Sequence, residues 1–180
     1  MPEVRQIVQR HGWSVELHPL SPDYHLEPLK IISGVEEKLR ELTQDHEVLV
    51  VYGDCGTGGL LDKLLRRYGA ERLPGAHCYE IYGGEIFHES MSKEPGTFFL
   101  TDFMVRSFER LKRQMGIDDR PELTDVYFRN YRRIVYLAQT RDAKLLEKAK
   151  KISRELRLPL EVRYVGVQRL ERMLEEWMNR

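Results

Sequence analysis

Cysteine is scarce in this sequence: two residues, Cys55 and Cys78, in a chain of 180. So few exclude the disulfide framework that holds small secreted domains together. In a reducing compartment they are free thiols or metal ligands. No uncharged apolar run approaches the ~20 residues that cross a bilayer as a helix. The N-terminal segment MPEVRQIVQRHGW lacks the apolar core of a secretory signal. These absences predict a cytoplasmic protein with no membrane partner. An excess of one charge is lacking too, with 29 Lys plus Arg against 29 Asp plus Glu. A neutral chain has no overall field to draw it onto nucleic acid or an anionic lipid surface. No nucleic-acid partner is therefore expected. Repeats, low-complexity stretches and linkers are missing as well, so residues 1–180 read as a single domain, long enough to bury a sizeable core.

The most informative stretch is VLVVYGDCGTGG, Val48 to Gly59. Val48 to Tyr52 is an uncharged β-branched and aromatic run, the pattern of a buried strand. Gly53-Asp54 signals a turn. A glycine-rich loop carrying Cys55 follows, and the leucine-spaced segment Leu60 to Tyr68 predicts a helix directly behind it. In an open α/β sheet, sites are built from loops at the carboxyl ends of strands. Glycines there let the backbone approach a bound group, and helix starts offer N–H donors and lower the pKa of a nearby thiol.

Strand and helix patterns alternate through most of the chain. Pro2 to Arg10 predicts a helix, and the alternation of Trp13, Val15 and Leu17 predicts a strand. Pro28 opens a helix bearing Leu29, Ile32, Val35, Leu39 and Leu42. Glu71 to Gly75 is extended. Tyr79 to Met91 reads as helical, with Gly83-Gly84 weakening it. Phe98 to Leu100 leads into a helix that Thr101 or Asp102 caps. Pro121 to Tyr131 and Asp142 to Leu156 read as helices, Ile134 to Ala138 and Leu160 to Tyr164 as strands, and Val167 to Met178 as the last helix. This order predicts an α/β fold, a three-layer sandwich with a mainly parallel sheet and helices on both faces.

Cys55 and Cys78 each follow a predicted strand, so a parallel sheet delivers both to the same edge. With them come His77 and the carboxylates Asp54 and Glu80. Soft thiolates with imidazole suit zinc or iron, and His25, on the loop before Pro28, offers another ligand. Against this stands the bland reading of both cysteines as small buried hydrophobes and of His25 as a solvated loop histidine. A second functional reading makes Cys55 a nucleophile, with Gly56, Thr57, Gly58 and Gly59 as a cradle of N–H groups and His77 as base. The loop lacks a P-loop lysine and dinucleotide-fingerprint spacing. Thr97, Thr101 and Asp102 read as helix capping and core entry. The segment Arg129 to Arg133, with Tyr131 inside it, reads as surface.

Together, VYGDCGTGGLLD at Val51 to Asp62, GAHCYE at Gly75 to Glu80 and EPGTFFLTDF at Glu94 to Phe103 resemble the bacterial and archaeal family called domain of unknown function 1638. So do HLEP at His25, PEL at Pro121 and YFRNYRRIVYLAQT at Tyr127 to Thr140. The resemblance covers nearly the whole chain. It implies a neighbourhood of corrinoid methyltransferases, corrinoid-binding proteins and reductive activators, and hence a role in one-carbon or corrinoid metabolism. Family members start with an extra strand ending in a Cys-Gly-Ala turn; this chain is expected to lack that strand and its third cysteine.

The expected function is a cytoplasmic metal-thiolate protein assisting corrinoid or one-carbon methyl transfer. Zinc or iron would be bound by Cys55, Cys78, His77 and His25. Asp54 and Glu80 would be acid/base or supporting groups, and Gly56 to Gly59 would hold an anionic group of a small-molecule ligand. The alternatives are a metal-free cysteine enzyme of acyl or phosphoryl transfer, and a non-catalytic partner that docks on a corrinoid methyltransferase.

Overall fold

Parallel strand pairing with helices packed around the strands makes this an α/β fold. The computed structural model describes residues 2–21, 24, 27–43 and 45–180, and among these the chain forms nine helices and five strands. It divides into two compact units, residues 1–81 with 170–180, and residues 82–169.

In the first unit, helix α1 (Pro2–His11) buries Val4 and Ile7, and α2 (Pro28–Leu42) starts with proline, whose missing N–H costs nothing there. Apolar residues at four-residue spacing in α2, Ile31, Val35 and Leu39, meet Leu61, Leu64 and Leu65 of α3 (Leu60–Tyr68), and Ala70 closes the same cluster. Burying each such side chain stabilises the fold by about 1.5–3 kcal/mol. Strand β1 (Leu49–Val50) pairs parallel with β2 (Glu71–Arg72), Leu49 opposite Glu71 and Val50 opposite Arg72. Helix α3 connects them and ends on Gly69 in the left-handed conformation, its N–H reaching the Leu65 carbonyl. The β-branched run to Tyr52 predicts a longer strand. The chain leaves the ladder early because the Tyr52 N–H turns back onto the Val50 carbonyl, 2.9 Å away. Residues 13–17 alternate as a strand would but have no ladder. Trp13 instead stacks on the His11 ring at 4.5 Å, and Val15 is exposed. Alternation without a neighbouring edge to pair with does not make a strand.

In the second unit, β3 (Thr97–Thr101), β4 (Arg133–Ala138) and β5 (Leu160–Tyr164) pair in that order, all parallel, with Phe98 opposite Ile134 and Ile134 opposite Leu160. The central strand β4 is buried from Ile134 to Ala138, as its unbroken apolar run demands. Helices α6 (Asp102–Gln114) and α8 (Ala143–Leu156) pack against each other, and Val105 and Phe108 share a core with Leu145, Ala149 and Ile152. Asp142 caps α8 by accepting from the N–H of Lys144 at 2.7 Å and of Leu145 at 3.3 Å. Of the segment read as surface, Arg129, Asn130 and Arg132 are exposed, while Tyr131 is half-buried, its ring 5.2 Å from that of Phe98 and 5.9 Å from that of Phe128. The helix predicted over residues 121–131 shrinks to α7 (Leu123–Phe128) accordingly.

The helix predicted over Tyr79 to Met91 is broken into α4 (Cys78–Gly83) and α5 (Glu85–Lys93). Gly84 sits between them at φ +50°, ψ −123°, a conformation that side chains resist. The last helix, α9, spans Gln168–Met178.

Candidate functional site

Because β1 and β2 run parallel, the loops that follow them leave one edge of the sheet, and the backbone keeps them together beyond the strands. The Asp54 N–H donates to the Gly75 carbonyl at 3.2 Å, and the Cys55 N–H to the Ala76 carbonyl at 2.8 Å. Gly53 makes this approach possible: a Cβ there would lie 2.9–3.2 Å from backbone atoms of His77. Arg72 locks the arrangement from below. Its guanidinium grips the Asp62 carboxylate with two bonds, Nε–Oδ1 at 2.6 Å and Nη2–Oδ2 at 3.0 Å. Its Nη1 donates to the carbonyls of Leu73 and Gly75, each at 2.9 Å. A planar fork satisfying a carboxylate and two carbonyls is a task lysine cannot do.

The Cys55 and Cys78 side chains thereby meet. Both are half-buried free thiols. The Cys78 S–H donates to the Cys55 sulfur, which also accepts from the backbone N–H groups of Cys78 and Gly53. These donors, the Cys78 thiol foremost, bring the Cys55 pKa down to about 7 despite burial and the nearby Asp54 charge. Cys78 shifts the other way: its proton is held in the bond to Cys55, and burial adds to the effect. Above about pH 7 the pair thus shares one negative charge, carried on Cys55. Cys55 also sits at φ +47°, a left-handed conformation uncommon for a residue with a side chain. The Tyr52 hydroxyl is close enough to feel both thiols. Burial first, then their charges, keep it protonated far into the alkaline range.

The glycine loop uses its donors internally. The Asp54 carboxylate accepts from the Thr57 hydroxyl and from the N–H groups of Gly58 and Gly59, each at 3.0 Å. That is why its pKa lies below the usual carboxylate range. Gly58 and Gly59 stand at φ +61° and +81°, so both N–H groups can turn inward. The anion cradle expected at Gly56 to Gly59 is therefore filled at two of its donors by the chain's own carboxylate. Thr57 is buried, while Gly56 is exposed and approaches the Pro28 ring. Glu80 reaches back to the Ala76 N–H at 2.7 Å and caps the turn into α4. His77 is exposed, its ring 6.2 Å from that of Tyr79. His25 lies outside the described residues.

Among the described residues, no group of three or more His, Cys, Asp or Glu side chains is gathered so as to hold a metal ion. A tetrahedral zinc site needs four donors, and the described side chains bring two sulfurs to one place. The donor set here fits half of such a site.

The second unit holds a polar centre of its own. Asp102, fully buried, accepts from the Tyr136 hydroxyl at 2.7 Å, the Gln139 N–H at 3.0 Å and the Thr140 hydroxyl at 2.6 Å. The Gln139 side-chain oxygen in turn accepts from the Asp102 N–H at 2.8 Å. Burial and the Asp102 charge raise the Tyr136 pKa. Thr101 is the cap of α6, accepting from the Met104 N–H. Asp102 does more than enter the core: it ties the end of β3 to the end of β4. Sequence patterns placed Asp102 at helix capping and core entry without this network, and gave Tyr52, Asp62 and Arg72 no role in a site. The one available signal was an acidic residue beside the uncharged run TFFLT.

Against known families, a model described as "Protein of unknown function (DUF1638)" matches residues 20–174. No curated protein and no solved structure gave a match. No helix among the described residues is long and apolar enough to cross a membrane.

Proposed function

Since the chain belongs to the DUF1638 family, whose description names no reaction, we propose a function from the site itself: Cys55 is the nucleophile of a cysteine-dependent enzyme, and Cys78 is its partner thiol. The observation that carries this reading is the Cys55 sulfur, which accepts from a thiol and two backbone N–H groups. A sulfur so surrounded is about half ionised at neutral pH and only half-buried, the two requirements for a nucleophilic thiol. The electrophile is small and soft, such as a methyl group, which needs no oxyanion pocket. Acyl or phosphoryl transfer fits less well, because the Gly58 and Gly59 donors that would face an oxyanion are held by Asp54. A methyl group also agrees with the corrinoid and one-carbon setting that the family resemblance implies, in the cytoplasm beside corrinoid methyltransferase components.

Alkylation by iodoacetamide across pH tests it. Cys55 is expected to react with a midpoint near 7, and Cys78→Ser to move that midpoint towards the ordinary thiol value. A Cys55 that reacts at neutral pH no faster than an unfolded thiol ends the reading.

A second reading has its own observation, the adjacency of two sulfurs. In it, zinc or iron sits on Cys55 and Cys78, with His77, His25 or solvent completing the site; the metal would act as a Lewis acid there. Elemental analysis of anaerobically purified protein beside a Cys55→Ser, Cys78→Ser double variant decides it. Equal, near-zero metal in both rules it out.

A further inference from the structure

We propose that Cys55 and Cys78 form a thiol–disulfide exchange pair that reduces a low-molecular-weight disulfide and closes, reversibly, into an intramolecular disulfide. The inference rests on Cys55 being the nucleophile. It adds a substrate class, a disulfide with one accessible sulfur, and a role for Cys78 as the resolving thiol.

Three features of the fold support it. The two side chains are hydrogen-bond neighbours. Their loops are pinned in that relation by the Cys55–Ala76 and Asp54–Gly75 bonds, by the close approach of Gly53 to His77 and by the Arg72 fork. The Asp54 carboxylate is turned into its own loop and bonded there to Thr57, Gly58 and Gly59.

The exchange balances in two steps. The Cys55 thiolate attacks one sulfur of the disulfide R–S–S–R; a Cys55–S–R bond forms, the S–S bond breaks, and RS⁻ leaves to take up a proton. Cys78 then gives up its proton and attacks the Cys55 sulfur, forming the Cys55–Cys78 bond and expelling the second RS⁻. Starting from the Cys55 thiolate and the Cys78 thiol, the protein loses two electrons and one proton; the disulfide takes these up with a second proton from water and becomes two thiols. An external dithiol runs the same steps backwards.

The test uses the reduced wild-type chain and glutathione disulfide without oxygen, quenched with N-ethylmaleimide and read by intact mass and peptide mapping. The expected result is loss of both maleimide-reactive thiols together, no retained glutathione, a linked Cys55–Cys78 peptide, and full recovery with dithiothreitol. Cys78→Ser should keep one glutathione on Cys55. Glutathione that stays on Cys55 of the wild type, or a disulfide between two chains, overturns the exchange pair while leaving the nucleophile intact. No reaction with either glutathione disulfide or iodoacetamide at neutral pH overturns both.

Discussion

At Cys55 and Gly53, single atoms decide whether a site exists. Replacing Gly53 by Ala puts a methyl group within 2.9 Å of the His77 backbone, which must move. Overpacking of this kind costs about 1–3 kcal/mol. The loop carrying Cys78 is pushed away, the donors to the Cys55 sulfur are lost, and its alkylation rate at neutral pH falls roughly tenfold for each unit the pKa rises. Alkylation kinetics beside a urea midpoint measure both effects in one variant. Asp102 makes the complementary case. Asp102→Ala strips the partner from the Tyr136 and Thr140 hydroxyls and the Gln139 N–H inside the second unit. Removing one member of a buried charged network costs about 3–5 kcal/mol, a loss to be read in chemical denaturation. Sequence alone gives Asp102 helix capping and core entry but not this network, because its partners lie on and just after a strand far along the chain.

Among elements, β2 matters out of proportion to its two residues. It sets Arg72 where one side chain binds Asp62 of α3 and the carbonyls of the loop towards Cys78. Arg72→Lys keeps the charge and loses the fork. It is expected to lower Cys55 alkylation several-fold at neutral pH and stability by about 1–3 kcal/mol, with far-ultraviolet circular dichroism unchanged. An equal Cys55 rate in the variant would show that the loops hold their relation without the clamp. Helix α3 and strands β4 and β5 were legible in advance, since leucine spacing and apolar runs report local burial. The break between α4 and α5 was half-legible, as Gly83-Gly84. The missing strand at residues 13–17 was not, because pairing requires a second edge that periodicity does not describe.

For the whole molecule, the thiol pair makes stability depend on pH with a definite sign. An unfolded thiol titrates near 9.0, and folded Cys55 near about 7. Between those values the unfolded chain binds the extra proton, so stability rises with pH across that window and is lost as pH falls through about 7. Cys78 opposes this above about 9, where the unfolded thiol ionises and the folded one keeps its proton. Urea midpoints under reducing conditions should therefore climb from about pH 7 to about pH 9 and then fall. Cys55→Ser should abolish the climb, and a flat profile in the wild type would mean that the two sulfurs do not share a charge.

By itself the sequence determined the α/β class, the order of most elements, and the family, because hydrophobic period and contiguous motifs are local properties. It also pointed both cysteines to one sheet edge, since parallel pairing of β1 and β2 leaves no other place for the loops behind them. The tertiary structure alone decided what those loops do with their polar groups. Asp54 and Glu80 bond to neighbouring N–H groups, Arg72 ties strand to helix, and Cys78 turns its proton towards Cys55. Such partnerships are set by distances of about 3 Å between residues that the sequence keeps apart, and only a folded chain brings them to that range.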